Sequence, residues 1–221
     1  MKKILLFFIA LTNVAIMFTF IGCSDKATFE EQLYSSGDTT IKTLNINVSD
    51  REIEVVASDD SQIHIEYYES EKEYYDISVS ENNELTMNLI YNNEWTDFIG
   101  SKSPAEYRKI RIEIPNDLLS GISIKTTNEA VRLSSLSVLE SISLDSNGGD
   151  LVFEKIEVGK SLNVTAKNGN ITGTVIGGWD DFSINCEIKK GDSNLPENKT
   201  GGEKSLTANC NNGNIDIDFI A

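Results

Sequence analysis

The sequence predicts an all-β fold: a solenoid-like stack of strand–turn–strand repeats of about 20 residues each. Three observations predict it. Apolar and polar residues alternate with period two from Ile41 onward, the pattern of strands with one dry and one wet face. An Asn-centred turn recurs, as "AKNGNITGTV" at 166–175 and "CNNGNIDIDF" at 210–219. Long amphipathic helical patterns are absent. An antiparallel β meander or sandwich would satisfy the same parity, because Asn-Gly between alternating strands is also a hairpin signal. The column formed by the Asn slot at a fixed period favours the stack.

The chain starts "MKKILLFFIALTNVAIMFTFIGCSDK". Two lysines, an apolar run from Ile4 to Ile21 and the small Gly22 make a secretory signal over residues 1–22. The run "FIGC" resembles the bacterial lipobox. That resemblance implies cleavage between Gly22 and Cys23 and diacylglycerol (with palmitate among its acyl chains) on the Cys23 thiol. The apolar run also reads as an uncleaved membrane helix, since about 18 apolar residues can span a bilayer. Either way the rest of the chain is tethered to a membrane. Residues 23–40 read as the lipidated cysteine and a polar tether, with a short helix over 27–34 as an alternative.

Losing Lys2 and Lys3 with the signal takes the formal net charge from −16 to −18. So acidic a body repels phosphate backbones, which excludes nucleic acid as a partner. It also repels anionic headgroups, so membrane attachment depends on the lipid.

Residues 41–115 read as an N-terminal β region. Leu44, Ile46 and Val48 form one apolar face, then Ile63, Ile65 and Tyr67, then Ile77 and Val79, then Leu85, Met87 and Leu89. Ile110, Ile112 and Ile114 close this region before Pro115. Residues 116–221 read as a β-repeat region continuous with it. Aligned on the turn, Asn128, Asn147, Asn168, Lys190 and Asn212 follow at steps of 19, 21, 22 and 22 residues. The inward positions before each turn align as Ile122/Ile124, Ile142/Leu144, Leu162/Val164, Ile184/Cys186 and Leu206/Ala208. After the turn come Val131/Leu133, Leu151/Phe153, Ile171/Gly173 and Ile215/Ile217. Stacked units share a continuous core, with like residues over like. Asn and Gly tolerate positive φ and so belong at the corners.

In this register Cys186 aligns with Val164 and Ala208, and Cys210 with Ala166 and Ile188. Both point inward, two residues out of step on neighbouring strands. A strand spacing of about 4.8 Å combined with roughly 6.6 Å along the strand gives a Cα separation near 8 Å. That exceeds the ~7 Å limit for a disulfide, so two buried free thiols are expected.

No catalytic set emerges. His64, the one histidine, alternates with Ile63 and Ile65 and lies on a wet strand face. The acidic turns 145–150 and 189–194 lack the nine-residue glycine-rich calcium repeat. No cofactor or metal site is expected. The longest stretch without alternation, "YNNEWTDFIGSKSPAEY" at 91–107, makes Trp95 and Phe98 the candidate contact surface. The last strand, "NIDIDFIA", is an edge on which Asp216 and Asp218 discourage pairing unless a partner strand is added there.

The segment "YRKIRIEIPNDLLSGISIKTTNEAVRL", residues 107–133, resembles a bacterial envelope family of β-strand repeats usually labelled "putative adhesin", a domain of unknown function. In that family a strand ending in Pro precedes repeated strand–Asn/Ser-Gly–strand units. Here the strand is 110–114, followed by Pro115; Glu129-Ala130 and Lys190 depart from the pattern. The resemblance covers about residues 41–221 and implies a solenoid-like envelope protein, with envelope-stress signalling among the roles of relatives.

The expectation is thus a non-enzymatic surface lipoprotein that binds or scaffolds at the bacterial envelope. It would face outward from the cytoplasmic membrane, or sit on an outer membrane in a two-membrane cell. Membrane lipid engages it through Cys23, and envelope proteins or surface glycans are its partners. An adhesin for glycans or host protein is the alternative, and a carbohydrate-active enzyme on a β-solenoid the third reading.

Overall fold

A computed structural model describes residues 28–92 and 102–220. In chain order the strands are β1 (Glu30–Ser35), β2 (Thr43–Asn47), β3 (Glu52–Ala57), β4 (His64–Glu69), β5 (Glu73–Val79) and β6 (Glu84–Tyr91). There follow β7 (Lys109–Ile114), β8 (Gly121–Thr126), β9 (Val131–Ser134), β10 (Ser137–Val138), β11 (Ser141–Ser146) and β12 (Leu151–Val158). The last are β13 (Ser161–Asn168), β14 (Ile171–Ile176), β15 (Phe182–Lys190), β16 (Asn198–Lys199), β17 (Lys204–Asn212) and β18 (Ile215–Ile220).

They form two sheets. Sheet A runs β1-β4-β7-β3-β9-β12-β14-β18, with β10 paired to β12; sheet B runs β16-β15-β17-β13-β11-β8-β2-β6-β5. Each coil gives one strand to each sheet, and successive coils run the same way. The interior ladders are therefore parallel, which rules out the antiparallel meander and makes the fold a solenoid-like stack. Antiparallel pairing occurs at the ends, in β1–β4, β4–β7, β5–β6 and β15–β16.

The alternating inward residues meet between the sheets as columns. Sheet B stacks Met87, Ile46, Ile124, Leu144, Val164, Ala208 and Cys186 in one row. Sheet A stacks Ile65, Ile112, Val55, Leu133, Phe153, Gly173 and Ile217. All but Gly173 are core residues. Burying such aliphatic side chains gives about 1.5–3 kcal/mol each before entropy is counted. Like does not always sit over like: the Phe153 ring occupies the space where Gly173 would carry a Cβ.

Chain order and stacking order differ at two places. The β2–β3 coil lies between the β6–β7 and β8–β9 coils, and β17 lies between β13 and β15. In the second case the chain overshoots by one rung and then fills the gap; in the first, the β2–β3 coil forms first and is flanked on one side and then on the other.

The corners are held in two ways. Asp50 and Asn128 adopt positive φ, 54° and 60°. At the glycine corners close packing adds to this: a methyl on Gly169 would overlap the Gly149 carbonyl, one on Gly213 (φ 150°) the Gly169 carbonyl, and one on Gly191 (φ 131°) the Gly213 carbonyl. Amides tie these corners together. Asn212 Nδ2 donates to Asn168 Oδ1 at 2.7 Å, and Asn168 Nδ2 to the Asn147 carbonyl at 3.1 Å. A second ladder passes from Asp150 through Asn170 and Asn214 to Asp192. Each of the first three accepts a backbone N–H from the next coil at 2.7–3.0 Å.

Cys186 pairs with Ala208 and Ile188 with Cys210. Both thiols are free and buried, as the register arithmetic requires, and burial raises the Cys210 thiol above its usual range. One expectation fails. Residues 30–35, assigned to the tether or to a short helix, form a strand antiparallel to β4. Gln32 and Tyr34 alternate inward while Glu31, Leu33 and Ser35 stay exposed, a period-two pattern masked by the polar neighbours.

Candidate functional site

Gly22, Cys23, Trp95 and Phe98 lie outside the described residues. What the structure does describe is the ground on which the 91–107 segment stands. Arg51 follows the β2–β3 corner and is 1% exposed. Its Nη2 donates to Glu73 Oε2 at 2.5 Å and its Nε to the Tyr75 hydroxyl at 2.7 Å. Nη1 reaches the Ser49 and Asp50 carbonyls. Ser103 Oγ donates to Glu73 at 2.6–2.7 Å. Arg108 bonds the Ser103 carbonyl at 2.9 Å and pairs with Glu129. Lys102 and Asn128 both donate to Asp50 Oδ1 at 2.7 Å.

A buried guanidinium needs this many acceptors because desolvation of a charge costs several kcal/mol. Burial pushes the Tyr75 phenol up to about 12, against the pull of neighbouring Arg51. Burial also opposes ionisation of Asp50, but the hydrogen bonds from Lys102 and Asn128 outweigh it and hold that carboxyl below its ordinary value.

Beside this root, the outer face of sheet A carries an open groove of about 390 Å³, within the size range of small-ligand sites. Its floor is the wet face of β3, β4, β7 and β9, and Glu31 of β1 forms one wall. Strand register brings Glu66, Arg111, Glu54 and Arg132 side by side in one row. Opposite charges attract across neighbouring strands and along one strand: Arg111 lies 2.8 Å from Glu54 on β3 and 3.1 Å from Glu113 on its own strand, and Arg132 lies 3.5 Å from Glu52. Partial burial disfavours the Arg111 charge, yet Glu54 and Glu113 more than compensate and hold it protonated. Lys109 completes the basic set. Tyr68 donates to Glu31 at 3.2 Å, which raises the Tyr68 phenol.

Tyr68 lines the groove and belongs to a cluster of three half-buried aromatics. Phe29 stacks on Tyr107 with centroids 4.7 Å apart, and Tyr68 meets Tyr107 edge-on at 5.5 Å. Sequence reasoning missed this site because its parts come from five strands. One signal was available: the four arginines, at 51, 108, 111 and 132, all belong to the loop root or the groove.

The other sequence candidates fall into place. His64 sits on the wet face, 2.9 Å from Asp60. Asp150 and Asp192, from the acidic turns, serve the inter-coil ladder. Among the described residues no group of three His, Cys, Asp or Glu could hold a metal ion, and no helix is long and apolar enough to cross a membrane. The outward edge of β18 is closed at Ile215 and Ile217 by residues 192–194, so this edge does not present the open ladder that strand addition needs.

A two-sheet stack of parallel coils, closed at its ends by antiparallel strands, defines a β-repeat protein. The Toastrack DUF4097 family model matches residues 41–220, and the chain belongs to that family. Among solved structures, that of a "putative cell adhesion protein" from Clostridium sporogenes is similar at 14% identity and a TM-score of 0.63. The likeness covers 88% of this chain and 100% of that one. A "putative adhesin" from Bacteroides fragilis matches at 14% identity over 87% of this chain and 97% of that one, with a TM-score of 0.37. No curated protein matches the chain. At these identities the likeness speaks for the fold.

Proposed function

We propose that this protein is a lipid-anchored, non-enzymatic binding module on the outward face of a bacterial membrane, and that the sheet A groove is its contact surface. The observation that carries this reading is the start of the fold. β1 begins at Glu30, so only six residues separate it from Cys23. Seven residue steps reach at most about 25 Å, and β1 supplies Glu31 to the groove. The groove is thereby held near the bilayer, where envelope proteins are the accessible partners. Sensing the state of the envelope is a role that suits this placement.

The groove's chemistry favours binding over hydrolysis. Glycoside hydrolysis needs two carboxyl groups poised about the scissile bond. Glu31, Glu52 and Glu54 are engaged by Tyr68, Arg132 and Arg111. A surface glycan is the second reading, favoured by the Phe29–Tyr107–Tyr68 cluster, whose faces and edges suit sugar rings.

Metabolic labelling with a fatty acid and membrane fractionation test the anchor. The wild type should take up label and sediment with membranes, and Cys23→Ala should do neither. A Cys23→Ala form that stays labelled and membrane-bound removes the lipoprotein reading. Photo-cross-linking from a residue in the groove then separates the partners: membrane proteins support the first reading, and glycans the second.

A further inference from the structure

The four sheet edges are not treated alike. On β18, Asn194 copies a strand: its Oδ1 accepts from Ile217 N at 3.0 Å and its Nδ2 donates to the Ile217 carbonyl at 3.1 Å. β16 is two residues long. On β5 the Glu69 carboxylate accepts the Tyr75 N–H at 2.7 Å. A two-fold copy centred on Ile77 would also set Glu73 against Glu81. These are recognisable guards against edge pairing.

Among the described residues, β1 has no such guard. Ser36 N bonds the Ile63 carbonyl at 3.0 Å, so in the antiparallel alternation Tyr34, Gln32 and Glu30 also turn their backbone groups toward β4. Glu31, Leu33 and Ser35 turn theirs away. The Leu33 side chain is 66% exposed.

We propose that β1 pairs antiparallel with β1 of a second copy of this chain, about a two-fold axis at Leu33. This register sets leucine against leucine, Gln32 against Tyr34 of the second copy, and each Glu31 against a serine. Centring on Glu31 would instead oppose two carboxylates in a chain of formal net charge −16, which is destabilising. The register at Leu33 thus opposes no like charges, as a self-facing two-fold interface requires. The pairing joins two A sheets into one. It brings the two grooves together at their Glu31 walls, so that a repeated partner meets two sites at once.

The test uses the full-length chain in bacterial membranes. Directly opposed, hydrogen-bonded residues lie about 5.5 Å apart at Cα, within disulfide range. Leu33→Cys should therefore form a covalent homodimer on mild oxidation. Two Ser35→Cys residues would sit roughly 14 Å apart and should not link. Failure of Leu33→Cys to link, equal linking by Ser35→Cys, or linking of Cys at 33 to a different polypeptide each overturns the proposal. Sedimentation of the detergent-solubilised chain gives a second reading. Leu33→Lys should weaken self-association at least ten-fold, and an unchanged Kd overturns the pairing. The sedimentation readout does not need the acyl chain, so its failure is distinguishable from failure of the anchor test.

Discussion

At one end of the stack, sheet A finishes on β18, and its outward backbone is consumed by a neutral plug: the 192–194 backbone and the Asn194 amide. At the other end the chain folds back in antiparallel strands. It buries a charged hub there, Arg51 with Glu73 and Tyr75, and among the described residues leaves the outer edge of β1 unpaired. The plugged end spends its polar groups on closing the fold. The charged end holds the root of the 91–107 segment, the groove and the unguarded edge together. The difference teaches that closure alone needs only amides. A buried guanidinium, which costs more to desolvate, is placed where a long segment must be held in register.

The largest effect should come from the charged hub. Arg51→Ala leaves Glu73 facing Tyr75 and Ser103 without its counter-charge, and breaking one partner of a buried pair costs about 3–5 kcal/mol. Urea unfolding should show a loss at the lower end of that range, because the Glu73 side chain keeps 19% exposure. Proteolysis near 102–108 should rise in parallel. A loss below about 1 kcal/mol would mean that the hub does not hold the loop.

Asn194→Ala should do less. It removes two hydrogen bonds from an edge that water can reach, each worth about 1 kcal/mol. Hydrogen exchange should speed up at Ile217 while the β8 and β11 amides stay protected. Spread of the effect across both sheets would show that the plug supports the whole stack rather than its end.

The same contrast separates what was legible in the sequence from what was not. The repeating half can be read almost residue by residue. Corners and inward positions recur at one spacing, so Ile142 over Ile122 and Ala208 beside Cys186 follow from alignment alone. The order of the last two coils does not follow. Their inward residues are interchangeable aliphatics and their spacings equal, so the periodicity is blind to β17 slipping between β13 and β15. Nor was Phe153 over Gly173 legible, because a ring filling a neighbour's missing Cβ leaves no periodic trace. At the charged end most signals are long-range. Arg51 meets Glu73 and Tyr75, Asp50 meets Lys102 and Asn128, and Glu54 meets Arg111. Only the clustering of arginines hinted that these would converge.

The smallest effect concerns pH. The Asp50 carboxyl is held below its ordinary value by Lys102 and Asn128 despite partial burial. A group whose folded pKa is depressed contributes stability above its unfolded pKa, near 4, and loses it as pH falls through the folded value. Comparing the unfolding free energies of wild type and Asp50→Asn should thus give a constant difference from pH 7 to about 5 that shrinks below about 4. Solvent screening keeps the plateau under about 1 kcal/mol. At the opposite end, Asn194→Asp puts a carboxylate where the amide donates to the Ile217 carbonyl. Its penalty should likewise be largest at neutral pH and relieved as acid restores a donor, but here the titrating carboxyl belongs to the variant and not to the wild type. A penalty for Asn194→Asp that stays flat from pH 7 to about 3 would mean that the Asn194 amide donor does not hold this edge.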